Sequence, residues 1–466
     1  MTTELLDAGS RLLARPQSLG SRLAGLAQSE RPVAFATAGS ISGAKFSAAA
    51  RGLAALLAMR PERAWALVAE DSVDFARGFF ALAAAGKTIL LPQGARPEAI
   101  AITGAEAILS DGRESAPELP RVALDGATMT DTTLADDFDP AAVAIGIHTS
   151  GSTAQPKRVT KTLAQLDAEI VALEAEWGSL LGDAPVIASV PHHHLYGLLV
   201  SLLWPLAAGR PILDFPAEFS ARTADCVLVS SPAFLGRIAR PEALRAFPPR
   251  AIFSSGAPLP AAAAIAIAET AGPAPIEIYG STETGGIGWR ARASAAETDA
   301  PWRRISGIEL RFREEENGSR LLVRSPWTAG EWIATGDFAV ALDDSRFRLA
   351  GRADGMIKLE DKRINPEELA AFLEEHELVH RARVIALDGA SRRRLGAVVV
   401  PTPAGSRMLE TEGKANFVAR LDARLAERYE RVLIPRKWRI VAALPVNAMG
   451  KIERARLAAL FDGESA

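Results

Sequence analysis

The sequence predicts a multidomain α/β protein. A large N-terminal domain of doubly wound sheets with a barrel-like portion, residues 1–353, is joined by a hinge to a small, mobile C-terminal α+β domain, residues 354–466. Three observations lead there. Short apolar runs recur up to about residue 280 with helical stretches between them, the alternation that builds parallel sheets covered by helices. After about residue 300 the runs become shorter and more polar. The turn-rich GRADG at 351–355 then separates them from a smaller α+β segment. With 466 residues, 48% of them hydrophobic and 23% charged, the chain is long enough for two or three cores.

The elements follow in order. MTTELLDAGSRLLARPQ reads as an amphipathic helix; it has no continuous apolar core of signal-peptide length and no small-residue cleavage site after one. Two helical patterns within 45–88 flank the strand AWALVAE. FFALAAAGKT reads as a core helix ending at Gly86: its Gly-Lys-Thr lacks the first glycine of an ordinary phosphate loop, Ala81 standing there instead. TILLPQ (88–93), PVIASV (185–190), RPILDF (210–215), CVLVSS (226–231), RAIFSSG (250–256) and IEIYGST (276–282) read as strands. Several end in SS, SSG or GST, and ligands of parallel sheets collect at the carboxyl ends of strands. The longest apolar stretch, LYGLLVSLLWPLAAG at 195–209, contains Pro205 and falls short of the roughly 20 residues of a spanning helix.

IELRFR and RLLVRS, with the turn EENGS between them, read as antiparallel strands. Beyond GRADG come MIKLEDKRI, a helix opened by Asn365-Pro366-Glu367-Glu368, then VHRARVIAL, RLGAVVVP, a helix around 411–430, and IPRKWRIVAAL. Asn365 is a capping residue, Pro366 suits the first helical position, and the two acids complement the helix dipole.

A net charge of −3 carries no electrostatic footprint for nucleic acid. The single cysteine, Cys226, excludes an internal disulfide framework and a cysteine metal cluster, and reads as a buried small apolar residue. With no membrane span in the sequence, a cytoplasmic enzyme or binding protein is expected.

TSGSTAQPKRV at 149–159 follows the apolar run AAVAIGI and precedes a stretch, Leu163–Trp177, with apolar residues at helical intervals; this predicts strand, loop, helix. Glycines permit the backbone geometry that turns successive N–H groups inward, and hydroxyls add donors for anionic oxygens. The spacing of an ordinary phosphate loop is not met. The residues alone leave two readings, a polyphosphate-wrapping loop and a plain Ser/Gly turn.

In company with the motifs that follow, this segment resembles the phosphate loop of the adenylate-forming superfamily of acyl- and aryl-CoA synthetases, adenylation domains and luciferase-like enzymes. The resemblance spans roughly residues 145 to 454. It implies that Thr149, Ser150, Gly151, Ser152, Thr153 and Lys157 bind the β and γ phosphates of ATP; Ala154 stands where the family has glycine. In YGSTETG (279–285) it implies Tyr279 beside adenine, Thr282 on the α-phosphate and Glu283 on Mg²⁺. A hard cation that takes only one or two carboxylates suits such a site, whereas a ligand-free helix-capping turn is the plainer alternative.

SSGAPLP (254–260) resembles the segment lining the acyl and adenine pockets, with Gly256 and Ala257 as its wall. In PHHHLYG (191–197), His194 aligns with the histidine beside the acyl carboxylate. Three consecutive histidines cannot all face one metal from a regular element, which leaves His192 and His193 as structural or solvated. In WIATGDF (332–338), Asp337 resembles the carboxylate that accepts both ribose hydroxyls, a role suited to an acceptor-only group, and Arg352 contacts ribose or phosphate. LPVNAMGKIER (444–454) resembles the C-terminal adenylation loop and makes Lys451 the catalytic cation. GRADGMIKLEDKRI resembles the hinge motif, with Asp354 as hinge residue and Asp361 where glycine is usual. Its Glu-Asp-Lys-Arg run resembles a short subfamily of AMP ligases linked to aryl polyene pigment and fatty-acid-type pathways.

The resemblance therefore implies an ATP- and Mg²⁺-dependent ligase that converts a small carboxylic acid to an acyl- or aryl-adenylate and then to a thioester. The acceptor is CoA or the phosphopantetheine of an acyl carrier protein. Two alternatives stay open: a ligase using free CoA only, and a non-catalytic carrier-binding protein on a degenerate ligase scaffold, motivated by Ala154 and Asp361.

Overall fold

A computed structural model describes residues 18–36, 39–112, 118–125, 139–149, 157–213, 224–237, 242–315, 318–353, 357–359, 362–387, 394–446, 452 and 454–461. The chain packs as two compact units, one of residues 1–310 and 323–333, the other of 311–322 and 334–466. By packing, the strands at 311–322 and 334–352 thus group with the C-terminal residues.

The first unit holds two sheets. One runs in the order Arg121–Ala123, Ala107–Ser110, Ala64–Val68, Thr88–Leu91, Ala144–Thr149, Lys157–Thr162. Its first five strands are mutually parallel and the last is antiparallel. Trp65, Leu67, Ile89, Leu91, Ile108 and Ile145 are buried, as continuous apolar runs in a covered parallel sheet demand, each contributing roughly 1.5–3 kcal/mol. The strand Lys157–Thr162 corrects the expected strand, loop, helix order to strand, loop, strand, helix. KRVTKT is polar enough to read as loop; it is extended because it pairs along its whole length with Ala144–Thr149.

The second sheet of this unit runs Trp302–Arg304, Gly285–Ala291, Ile276–Ser281, Ala251–Ser254, Val227–Ser230, Val186–Ala188, Ile212–Leu213, Pro32–Ala36, Gly39–Ser42. From Ile276–Ser281 through Pro32–Ala36 all neighbours are parallel. After Val186–Ala188 the chain adds Ile212–Leu213 on one side and Val227–Ser230 on the other, so the order reverses there, at the place where such sheets form a ligand crevice. Ile187, Leu228 and Ile252 share a core with Leu259, Ala264 and Ile267 of the helix Ala261–Ala271 and its approach. Cys226 is buried in that core.

Helix Leu163–Leu181 starts at a reciprocal capping box between Thr162 and Gln165. It buries Leu163, Leu166, Ile170, Leu173 and Trp177 at helical spacing. Helix Ser72–Ala84 is capped by Asp71, and the chain leaves it through Gly86 at φ +67°. The long apolar stretch is a π-helical segment, Gly197–Leu203, continued by Trp204–Ala208 with Pro205 in its first turn.

In the second unit the strands Gly318–Arg324, Ile333–Ala341 and Arg346–Arg352 are neighbours in that order. Helix Pro366–Glu374 is capped by Asn365, whose Oδ1 accepts from the Glu367 N–H at 2.9 Å. Strands Val379–Leu387, Arg394–Pro401 and Lys437–Ile440 form a sheet whose Ala382, Val384, Ala397 and Val399 pack with Leu369, Leu373, Phe417 and Leu421. The helix expected around 411–430 starts earlier, at a Thr402 cap, and runs as Pro403–Ala426 with a break at Gly413, φ +80°. Among the described residues no helix is long and apolar enough to cross a membrane.

Candidate active site

Four adjacent parallel strands, Val186–Ala188, Val227–Ser230, Ala251–Ser254 and Ile276–Ser281, end at one edge of the second sheet. The segments that leave them carry the motifs singled out in the sequence: the histidine loop, SSGAPLP and YGSTETG. The Ser255 hydroxyl donates to the Ile278 carbonyl at 2.8 Å and so holds the Gly256–Ala257 turn beside the strand of Tyr279. Gly256 and Ala257 are exposed. Gly256 has φ +92° with nothing within 4 Å of where a Cβ would stand, so the backbone conformation, not space, favours glycine there. Tyr279 is half-buried, its ring 5.5 Å from that of Trp302.

The three histidines have different environments. His192 is buried; its Nε2 lies 2.9 Å from the Ser72 hydroxyl and its Nδ1 3.4 Å from that of Ser201. Ser201 donates its own proton to the Gly197 carbonyl at 2.6 Å, so Nδ1–H of His192 donates to Ser201 and Nε2 accepts from Ser72. Burial, helped by His193 nearby, pushes His192 down to about 4, and burial does the same to His193. Both rings are therefore neutral at pH 7, and His192 is a structural member of the loop. His194 is half-buried with its ring 4.4 Å from His193. Among the described residues no group of His, Cys, Asp and Glu is arranged to hold a metal by itself.

The turn after Ile276–Ser281 carries Thr282 and Glu283, both half-buried. Ser281 and Thr284 bond to each other through their hydroxyls at 3.0 Å and through both backbone amides. A Cβ on Gly280 would collide with the Gly285 carbonyl, and Gly285 itself has φ +67°. Beneath this turn lie residues the sequence reading passed over. Lys161 Nζ donates to the carbonyls of Glu283 (3.1 Å) and Trp327 (3.0 Å). Glu169 Oε1 accepts from the Gly286 N–H at 2.7 Å, and Gln165 Nε2 donates to Trp327 O at 3.4 Å. Burial drives Lys161 down and Glu169 up to about 7. Their signal in the sequence is a charged residue on a buried face: Glu169 follows Leu166 by three within the apolar stripe Leu166, Ile170, Leu173.

Thr149 and Lys157 face each other in register at the open end of the first sheet's hairpin, and Lys157 is exposed. Ser150, Gly151, Ser152, Thr153 and Ala154 between them lie outside the described residues. Lys161, on the same strand as Lys157, ties that strand to the Glu283 turn, so the Thr149–Lys157 hairpin and YGSTETG are brought together.

In the second unit, Asp337 and Arg352 are register partners on antiparallel strands, with Nη1 and Oδ1 3.8 Å apart. The Thr335 hydroxyl accepts from the Asp337 N–H at 3.1 Å. Val446 pairs with Ile452 across the segment that contains Lys451. Lys451, Asp354 and Asp361 lie outside the described residues.

A family model described as AMP-binding enzyme matches residues 26–337, about two thirds of the chain. The chain belongs to the AMP-binding enzyme family. This AMP-binding enzyme is 30% identical over 313 residues to a 4-coumarate–CoA ligase of Halorhodospira halophila, covering 66% of the chain and 74% of that protein. It is 28% identical over 380 residues to an anthranilate–CoA ligase of Pseudomonas aeruginosa, 70% and 68% of the two chains. ATP-bound MatB from Rhodopseudomonas palustris has the same fold, with a TM-score of 0.79 at 20% identity, covering 96% of this chain and 99% of that one. So does a benzoate CoA ligase from Burkholderia xenovorans LB400, with a TM-score of 0.75 at 21% identity, covering 95% and 100%. The superfamily expectation is borne out: the AMP-binding enzyme is an AMP-forming acid–thiol ligase, a class that uses ATP, Mg²⁺ and a thiol acceptor.

Proposed function

We propose that this enzyme adenylates a small aryl or medium-length acyl carboxylic acid and transfers the acyl group to a thiol. In the first step a carboxylate oxygen attacks the α-phosphorus of ATP and the bond to pyrophosphate breaks. In the second the thiol sulfur attacks the acyl carbon and AMP leaves. The observation that carries this reading is the convergence, at one edge of the parallel sheet, of the His194 loop, the Gly256–Ala257 turn, Tyr279 and the Thr282–Glu283 turn, with the Thr149–Lys157 hairpin fastened to the last of these.

The residues present fit a magnesium nucleotide. Glu283 offers one carboxylate and Thr282 a hydroxyl, and a magnesium ion bound to triphosphate needs few protein oxygens beyond these. When bound, that ion neutralises phosphate charge. Tyr279 and the open Gly256–Ala257 turn take the adenine, and His194 faces the acid. Asp337 accepts the ribose hydroxyls while Arg352 contacts ribose or phosphate. Thr149 to Thr153 and Lys157 bind the outer phosphates. Lys451, in the domain that starts after residue 353 and turns at Asp354, stabilises charge that develops on the reacting oxygens; a cation at about 4 Å is worth roughly 4 kcal/mol at an effective dielectric of about 20. No covalent enzyme intermediate is required.

CoA is favoured as acceptor by the relatives named CoA ligases. A carrier-protein phosphopantetheine is the second reading, supported by a 123-residue match, 37% identical, to malpibaldin synthetase of Mortierella alpina, although the match spans 2% of that protein. We place the reaction in the cytoplasm, where ATP and CoA are supplied. The test is acid-dependent exchange of pyrophosphate into ATP over a panel including 4-coumarate, anthranilate, benzoate and malonate. It is followed by AMP release from the preformed adenylate with CoA or with holo carrier protein. Exchange with none of a broad panel of acids overturns the reading, and selective release with one thiol decides the acceptor.

A further inference from the structure

Lys161 and Glu169, an amine and a carboxyl group, are 2% and 3% exposed and bonded to two ends of one turn. The cation holds the carbonyl of Glu283 and the carboxylate holds the N–H of Gly286, three residues later. Each group meets the backbone dipole end that suits it, the amine donating to a carbonyl and a carboxyl oxygen accepting from an N–H, and such bonds are strongest when the side chain is ionised. Lys161 also holds the carbonyl of Trp327, joined there by Gln165. The Trp327 ring closes on the turn as well: a Cβ on Gly285 would stand 2.5 Å from its Cδ1 and would also strike Glu169 Oε2. The peptide planes on both sides of Thr284–Gly285 are therefore set from below by side chains of the strand Lys157–Thr162 and the helix Leu163–Leu181. A buried charge is costly to keep, and a neutral pair would leave a better-packed core, so stability alone is a weak account of this arrangement.

We propose that Lys161 and Glu169 are a positioning pair that sets the backbone of the Thr282–Glu283 turn, and through it the magnesium-dependent part of nucleotide binding. The proposal rests on the reading that Glu283 meets the magnesium of Mg·ATP. Lys161 and Glu169 do not themselves touch the nucleotide in this account. They act through the orientation of the 283 and 286 peptides, where a shift of about 1 Å is enough to cost on the order of 100-fold in a positioned reaction.

The test measures ATP affinity of the full chain by calorimetry, with and without Mg²⁺, so no acid substrate is needed. The readout is the factor by which Mg²⁺ tightens ATP binding. Lys161→Met keeps the aliphatic stem and removes the cation, and is expected to lose at least tenfold of that factor while changing Mg²⁺-free ATP affinity by no more than about twofold. Glu169→Leu, which removes the acceptor of Gly286 N–H, is expected to do the same, and Glu169→Gln, which retains an oxygen acceptor, to restore most of it. Glu283→Ala is the reference. If Glu283→Ala leaves the Mg²⁺ factor unchanged, the assignment of Glu283 fails and the pair has no metal site to position. If Glu283→Ala removes the factor while folded Lys161→Met and Glu169→Leu retain it, the positioning role alone is overturned. Equal loss of ATP affinity with and without Mg²⁺ also overturns it, because that marks general damage to the fold. Should Lys161→Met not fold, the contrast between Glu169→Gln and Glu169→Leu decides, a matched loss in both counting against the proposal.

Discussion

His192 Nε2 lies 2.9 Å from the hydroxyl of Ser72, fastening the histidine loop at the edge of one sheet to the first turn of the helix Ser72–Ala84 that follows a strand of the other. With its Nδ1–H given to Ser201, the neutral ring accepts from Ser72 at Nε2, whereas a protonated ring would have to donate there instead. The loop that presents His194 is thus built on a neutral His192.

That neutrality has a pH signature. The ring is held down at about 4 against an ordinary 6.5, so its contribution to stability is complete above pH 6.5 and is lost as pH falls toward 4, where the unfolded chain binds the proton first. Asp167 and Glu169, raised by burial to about 6 and about 7, run the opposite way, their contribution being lost as pH rises. Comparing wild type with His192→Gln cancels them. The stability advantage of wild type, from urea unfolding, is expected to shrink by about 2 kcal/mol between pH 7 and pH 5. An advantage independent of pH contradicts the neutral buried ring.

Gly285 and Gly256 separate two reasons for glycine. Gly285→Ala forces a Cβ into Trp327 and Glu169 at φ +67°, and is expected to cost about 2–4 kcal/mol and to reduce pyrophosphate exchange with it. Gly256→Ala, at φ +92° in open space, is expected to cost only about 1 kcal/mol of backbone strain. Thermal or urea melts of the two variants check the order, and equal losses refute the packing argument.

Asp337→Asn removes the ionised acceptor proposed for the ribose diol. Hydrogen bonds to a charged group are worth roughly 1.5–3 kcal/mol, so the KM for ATP is expected to rise tenfold or more while the KM for the acid stays level. With 2′-deoxy-ATP the gap between wild type and variant narrows. A gap of the same size with both nucleotides argues against contact with the 2′ hydroxyl.

Lys451→Ala is expected to reduce pyrophosphate exchange by about 1000-fold, the equivalent of roughly 4 kcal/mol, and to leave the conversion of supplied adenylate to thioester largely intact. Stopped assays of each half-reaction measure this directly, and parallel loss in both removes Lys451 from the adenylation role.

Asp361→Gly is expected to alter the thioester step and spare exchange. A change in exchange alone places residue 361 elsewhere in the reaction.

Much of the site could be read from the chain because its pieces are local. CVLVSS, RAIFSSG and IEIYGST each join a buried strand to the small polar residues that leave it, and Asn365-Pro366 announces its helix by rules that act over four residues. KRVTKT was illegible as a strand because its composition is polar and its extension comes from pairing with Ala144–Thr149. Lys161 and Glu169 were passed over because their partners lie 122 and 117 residues away.

The sequence by itself determined the alternation of strands and helices and the family motifs with their order, since each depends on short-range patterning. Tertiary structure alone decided which motifs meet, that His192 is a neutral buried brace, and that a buried cation and carboxylate hold the Glu283 turn. Those outcomes depend on burial and on backbone dipoles supplied by distant segments, and neither quantity exists until the chain has closed on itself.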